Sequence, residues 1–256
     1  MNDTPKARRT RADALRNREQ ILRAAVDLMV EHGPSVPLES IARRAGVGIA
    51  TLYRHFPDRM VLLRKVALDC LTQSAAAAEA ALAEEPDAFT ALARYLHDAI
   101  DLRIGVVMPM ITERVLMDEE VLTARDESRR KMAAIVDAAH AEGSLRPDVG
   151  PGDIGLLVTR MAPPLPSLSP QDNHRLSHRH LELVLDGLLG FLAYESLPGR
   201  PLALEELGQL PGDEDGSFLP IMEGGTDRCW PALNRQGGVK NETGADTEDR
   251  STTNGS

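Results

Sequence analysis

Residues 49–56 (IATLYRHF) hold the chain's clearest chemistry. If the segment is helical, Leu52 and Phe56, four apart, turn inward together. That leaves Ile49, Ala50, Thr51, Tyr53, Arg54 and His55 facing out. Basic and aromatic side chains on a short exposed helix suit entry into a DNA major groove. A second group is His174, His178 and His180 in HRLSHRH. The first two are four apart and could share a metal ion. No carboxylate or cysteine stands at ligand spacing beside them, and Arg175 and Arg179 interleave. The stretch therefore reads as a solvated helix start, and no metal ligand is assigned. A third group is Met108, Met110, Met117, Met132 and Met161 with Tyr95 and His97. These are candidates to line an adaptable apolar pocket for a small molecule, with ordinary core filling as the alternative. Asp137 and His140 form a single D-x-x-H, whereas di-metal bundles use paired motifs. No G-x-S-x-G, P-loop or dinucleotide-binding glycine pattern occurs, so no catalytic residue and no cofactor is assigned.

The elements that must position these groups are helices. Leu38, Ile41, Ala42 and Ala45 have the i, i+3, i+4, i+7 spacing of one buried helical face. Gly46 stands where a helix stops on a positive φ, and the exposed helix comes directly after it, giving a helix-turn-helix. Asp13 is a candidate N-cap for a helix reaching His32, with Ile21, Ala25, Leu28 and Met29 on its apolar face. Asp58 can cap a long helix over about 58–84, a physical link between the helix-turn-helix and the C-terminal part of the chain. Further helices are predicted from Pro86-Asp87 to about 104, over 118–142 with Gly143 as the stop, over 153–161, and over about 172–196. In the last, Leu181, Val184, Leu185, Leu188 and Leu192 make one apolar face while Leu183, Leu189 and Phe191 point elsewhere. A helix apolar on more than one face must be buried on more than one side, and a second copy of the chain is the expected cover.

Charge divides along the 256 residues. Residues 1–71 hold 13 Lys/Arg against 8 Asp/Glu, net +5; residues 72–196 hold 11 against 20, net −9; residues 197–256 hold 5 against 11, net −6. The N-terminal part can meet phosphate while the remainder avoids it. Only 3% of residues are aromatic, which argues against a large planar ligand. Cys70 and Cys229 form no disulfide framework, the N-terminus has no apolar signal core, and no apolar run is long enough to span a bilayer. A cytoplasmic protein without membrane partners is expected.

The segment RNREQILRAAVDLMVEHG together with IARRAGVGIATLYRHFPDR resembles the DNA-binding signature of the TetR family of bacterial transcription regulators. RHLELVLDGL is similar to the final dimer helix of some members. The resemblance implies an all-helical homodimer that binds a palindromic operator and releases it when a small-molecule effector enters the C-terminal domain. It places Gly48, Ile49, Ala50, Thr51, Tyr53, Arg54 and His55 against DNA. Thr51, Tyr53 and His55 then hold phosphate, and Arg54, Gly48, Ile49 and Ala50 meet base edges. Arg59 stands where many members carry a phosphate-contacting lysine. Pro37 departs from the usual capping Thr or Ser, and Gly48 from a common Ser, which moves the expected grip toward Thr51, Tyr53, His55 and Arg59.

The expected fold class is all-α: an N-terminal three-helix helix-turn-helix domain, a helical-bundle ligand and dimerisation domain, and a disordered C-terminal tail. The expected boundaries are a basic flexible arm at 1–12, the DNA-binding domain at 13–57, the helical ligand-binding and dimerisation domain at 58–196, and an acidic Gly/Pro-rich tail at 197–256. The expected function is a ligand-responsive homodimeric repressor on double-stranded operator DNA. The alternative is a helical-bundle metal-binding protein or enzyme whose helix-turn-helix-like segment is incidental.

Overall fold

In a computed structural model, residues 5–111, 115, 118–165, 167–190, 197, 200, 201 and 203 are described. Met117, Phe191 and Leu192 lie outside them, and so does the expected tail apart from Leu197, Arg200, Pro201 and Ala203. Among the described residues the secondary structure is helical: α1 Pro5–His32, α2 Leu38–Arg44, α3 Ile49–His55, α4 Arg59–Glu84, α5 Ala88–Asp101, α6 Ile104–Met110, α7 Glu119–Ala141, α8 Pro151–Met161 and α9 Pro170–Leu188. None of these helices is long and apolar enough to cross a membrane.

The helix ends arise from local chemistry. After α2, Gly46 takes φ +69°, while Val47 N–H donates to Ala42 O at 3.0 Å and Gly46 N–H to Arg43 O at 3.2 Å. This is a Schellman cap, and a glycine accepts its left-handed turn without a Cβ clash. The same pair of bonds closes α7 at Gly143, φ +70°. The carboxylates of Asp58, Asp87 and Asp118 accept from Val61, Thr90 and Val121 N–H to start α4, α5 and α7.

Three boundaries differ from expectation. α1 begins at Pro5 rather than Asp13, because KARRTRA contains no breaker and proline suits a first turn. The expected arm over 1–12 is thus helical from Pro5, and Asp13 pairs with Arg16 inside the helix instead of capping it. α5 ends at Asp101, where Arg103 turns left-handed at φ +54° and pairs with Asp27 of α1 at 3.3 Å. α9 ends at Leu188, short of the expected range, of which 191–196 lie outside the described residues. There Arg146 N–H donates to the Leu188 carbonyl at 3.0 Å, Gly190 N–H donates to Ser144 O at 2.9 Å, and Leu189 pairs with Leu145. A Cβ at Gly190 would stand 2.7 Å from the Gly143 carbonyl, so this crossing depends on glycine.

Two apolar cores result. The first joins Ile21, Ala25, Leu28 and Met29 of α1 with Ile41, Leu52 and Phe56, and with Leu62 to Leu71 of α4. Val107, Ile111, Val115 and Val121 close it from the far side. The second joins Ala78 and Ala81 of α4 with α5, α7, α8 and α9. Among the described helices, α4 is the one that carries a long buried stretch in the first core and continues into the second. Ser74, completely buried, sits between its two apolar stretches.

Candidate DNA interface and effector cavity

α3 is anchored by Leu52 and Phe56, at 0% and 1% exposure. Helical periodicity then turns Ile49, Ala50, Tyr53 and Arg54 outward, and all four are exposed, while Thr51 is half-buried. Gly48 takes the N-cap position with extended backbone and no side-chain bond, as does Pro37 before α2. No capping side chain therefore competes for the first backbone N–H groups of these helices, while the N–H groups of Ser40 and Thr51 donate to the Pro37 and Gly48 carbonyls.

Two of the residues expected at phosphate also make contacts within the protein. His55 is half-buried, and its Nε2 is buried without a hydrogen-bond partner. Burial, with Arg54 and Arg18 nearby, pushes its pKa below the ordinary imidazole value, so the ring favours the neutral form. That nitrogen faces the protein rather than a groove. Arg59 Nη1 donates to the Val36 carbonyl at 2.5 Å. The side chain ties the first residue of α4 to the turn before α2, which fixes the angle at which the helix-turn-helix meets α4.

Behind this head lies a cavity of about 390 Å³. Leu71 of α4, Tyr95 of α5, Met108 of α6, Met132 of α7 and Val158 of α8 contribute apolar wall. Arg125, Ser128 and Arg129 of α7 and Thr159 of α8 contribute polar groups. Tyr95 is buried, which holds its phenol above the ordinary pKa, and its hydroxyl lies 3.1 Å from Ser74 Oγ. Ser128 Oγ donates to Ser74 Oγ at 3.0 Å. Arg125 Nε is buried without a hydrogen-bond partner, and a carboxylate oxygen of Asp126 stands 3.9 Å away. A buried guanidinium donor left in that state favours an acceptor arriving from the cavity.

Of the pocket residues expected from sequence, Tyr95, Met108 and Met132 line this cavity. Met110 packs on the first core and Met161 on the second. His97 instead meets His178 edge to edge, its Nδ1 2.5 Å from His178 Nδ1. The sequence expectation does not include the polar lining from α7. Arg125, Ser128, Arg129 and Met132 have i, i+3, i+4, i+7 spacing, a helical face that is visible in sequence but reads as solvent-facing because of its charge.

Comparison with known proteins places both halves. Residues 21–66 match the model for bacterial regulatory proteins of the tetR family, and residues 85–189 match the C-terminal domain of SbtR-like transcriptional regulators. The HTH-type transcriptional repressor LfrR of Mycolicibacterium smegmatis is 32% identical over 137 residues, covering 54% of this chain and 70% of the repressor. A TetR transcriptional regulator of Streptomyces coelicolor superposes with a TM-score of 0.52 at 33% identity, covering 68% of this chain and 98% of that one. The structure of LfrR in complex with proflavine superposes with a TM-score of 0.50 at 23% identity, covering 72% of this chain and 99% of that one.

Proposed function

We propose that this chain, which belongs to the TetR family of bacterial regulatory proteins and is a DNA-binding transcription regulator, acts as a homodimeric repressor released from a palindromic operator by a small amphipathic acid. In this reading the helix-turn-helix within 13–57 is the reading head, and 58–196 carries the effector cavity and the dimer face. The outward set on α3 supports the head's role: Ile49, Ala50, Tyr53 and Arg54 project from a helix fixed by two fully buried anchors. Arg54 can pair bidentately with guanine, and Ile49 and Ala50 can meet thymine methyls. Thr51, Tyr53, Arg59 and the N–H groups after Gly48 hold phosphate. Two heads on one palindrome then stand about 34 Å apart, one helical turn of DNA.

The effector class is argued from the lining of the cavity. An apolar wall beside the buried Nε of Arg125, which has no hydrogen-bond partner, suits an apolar body ending in a carboxylate or similar anion. LfrR was solved with proflavine. The Arg125 guanidinium in this cavity disfavours such a cation, and Tyr95 as the aromatic side chain among the lining residues offers little stacking surface. Occupation would press on Leu71 and on the Tyr95–Ser74 contact, both tied to α4, and so move the head.

The experiment is a footprint of the protein on DNA upstream of its own coding region, repeated with decanoate and with proflavine. A protected palindrome released by decanoate and not by proflavine is expected. No protected site would overturn the repressor reading. Protection released by proflavine alone would overturn the effector class.

A further inference from the structure

On the outer side of the bundle, α5 and α9 cross with two facing stripes of metal-binding side chains. His97 and Asp101 stand four apart on α5, and His174, His178 and Glu182 stand at successive four-residue steps on α9. Asp101 Oδ1 lies 3.0 Å from His174 Nε2 and 2.9 Å from His178 Nε2. One ligand atom from each of these three residues falls within 4.8 Å of the other two. A tetrahedral zinc site with bonds of about 2.0 Å holds its donors about 3.3 Å apart. The three groups are thus near the spacing of a coordination shell, reached across 73 and 77 residues of sequence.

The surrounding bonds complete the arrangement. His178 Nδ1 lies 2.5 Å from His97 Nδ1, and His97 Nε2 lies 2.9 Å from Glu182 Oε1. With a cation on His178 Nε2, the single proton of that ring sits on Nδ1 and donates to His97 Nδ1. The single proton of His97 then sits on Nε2 and donates to Glu182. Every nitrogen of the two rings then has a partner. Metal-bound imidazoles characteristically give their second N–H to a partner of this kind, which fixes the ring and raises its basicity.

We propose that Asp101, His174 and His178 form a binding site for a divalent transition-metal ion of the zinc class, oriented by His97 and Glu182, that clips α9 to α5. Two imidazoles and one carboxylate favour zinc, cobalt or nickel over magnesium or calcium, which prefer all-oxygen shells. Three protein ligands leave a coordination position for water. The exposed side chains of Asp101 and His174, at 51% and 64%, let the ion exchange with solvent. The site is separate from the Tyr95 cavity and from α3, so it stands or falls independently of the operator and effector assignments.

The test uses full-length, tag-free protein stripped with a chelator, titrated with Zn²⁺ by calorimetry and with Co²⁺ by visible absorption. One ion per chain is expected, with a cobalt d–d band and a raised Tm. The His174→Ala/His178→Ala double variant should lose that ion while melting like the metal-free wild type. Glu182→Gln should lower affinity about tenfold through the lost orienting bond. His180→Ala, on a different face of α9, should leave affinity unchanged. Wild-type protein that takes up neither ion, or a folded double variant that binds with unchanged stoichiometry and affinity, would overturn the proposal.

Discussion

The Tyr95 hydroxyl lies 3.1 Å from Ser74 Oγ, which joins the wall of the cavity to the middle of the helix that begins at the DNA-binding head. Ser128 of α7 bonds the same serine at 3.0 Å, so three helices meet at one buried polar point. Buried hydroxyls leave their partners unsatisfied when removed. Tyr95→Phe is expected to lower stability by about 1 kcal/mol in urea unfolding. It should also shrink the effector's influence on operator affinity. Coupling between two sites is reciprocal and typically about 1–3 kcal/mol, so the variant should show equal losses in both directions of the linkage. Anisotropy titrations of operator with and without effector check this.

Arg54 and Tyr53 are neighbours on α3, both exposed, yet different consequences are expected from their loss. Arg54→Ala should relax preference at one base position, by about 1–3 kcal/mol of discrimination. Tyr53→Ala should weaken binding to all operator variants alike. A single-base operator library measured against both proteins separates the two. Equal losses on every operator for Arg54→Ala would make Arg54 a phosphate contact.

Arg59 serves two structures at once. Its Nη1 bond to the Val36 carbonyl holds the turn before α2, and under the proposed function its remaining N–H groups would serve phosphate. Arg59→Ala should therefore lower stability by about 1 kcal/mol as well as DNA affinity, whereas a pure phosphate contact would lower affinity alone. Thermal melts of the DNA-free variant, beside the salt dependence of its operator binding, make the distinction.

Much of this architecture is legible in the sequence, for a physical reason. Asp58, Asp87 and Asp118 cap helices through bonds to residues three ahead, and Gly46 and Gly143 end them through bonds reaching back over the last turn. Such interactions are local and leave a local pattern. The buried faces of α2, α3 and α4 are likewise readable from periodicity. The cavity is only half legible: Tyr95, Met108 and Met132 stand out as apolar lining, whereas Arg125 and Arg129 carry charges that suggest solvent. The Asp101–His174–His178 group is partly legible: the spacing of its two histidines shows in the sequence, whereas its carboxylate comes from another helix. The family pattern assigns His55 and Arg59 to phosphate, and only three-dimensional packing reveals the buried Nε2 and the bond to Val36.

The turn after α7 should lose stability in acid. Arg146 bonds both carboxylate oxygens of Asp148, at 2.5 and 2.9 Å, and Leu197 N–H adds a third bond at 2.6 Å. The guanidinium beside it holds the Asp148 carboxyl at about 2, below its ordinary value of 3.8. A carboxyl whose folded pKa is depressed binds its proton more readily in the unfolded chain. The stability it contributes is present above about pH 4 and is lost as pH falls toward 2. Asp148→Asn should cost about 1 kcal/mol at neutral pH, and the gap between variant and wild type should close across that acid window. Tm measured against pH for both proteins checks the sign.

Gly105 is where α6 and α8 come into close contact, beside the cavity. A Cβ there would stand 2.4 Å from the Val158 carbonyl oxygen and 2.9 Å from the Ala162 Cβ. The nearer obstacle is backbone, which cannot rotate away, so α6 must shift as a unit. Overpacking of this kind typically costs about 1–3 kcal/mol. Gly105→Ala is expected to fall in that range by urea unfolding. Because Met108 and Pro109 of the same helix line the cavity, the shift should also reshape it. Weaker effector binding with operator affinity unchanged in the absence of effector is the expected pattern. Loss of operator binding without effector would instead mean that α6 supports the head directly, through the packing of Val107 and Ile111 on the first core.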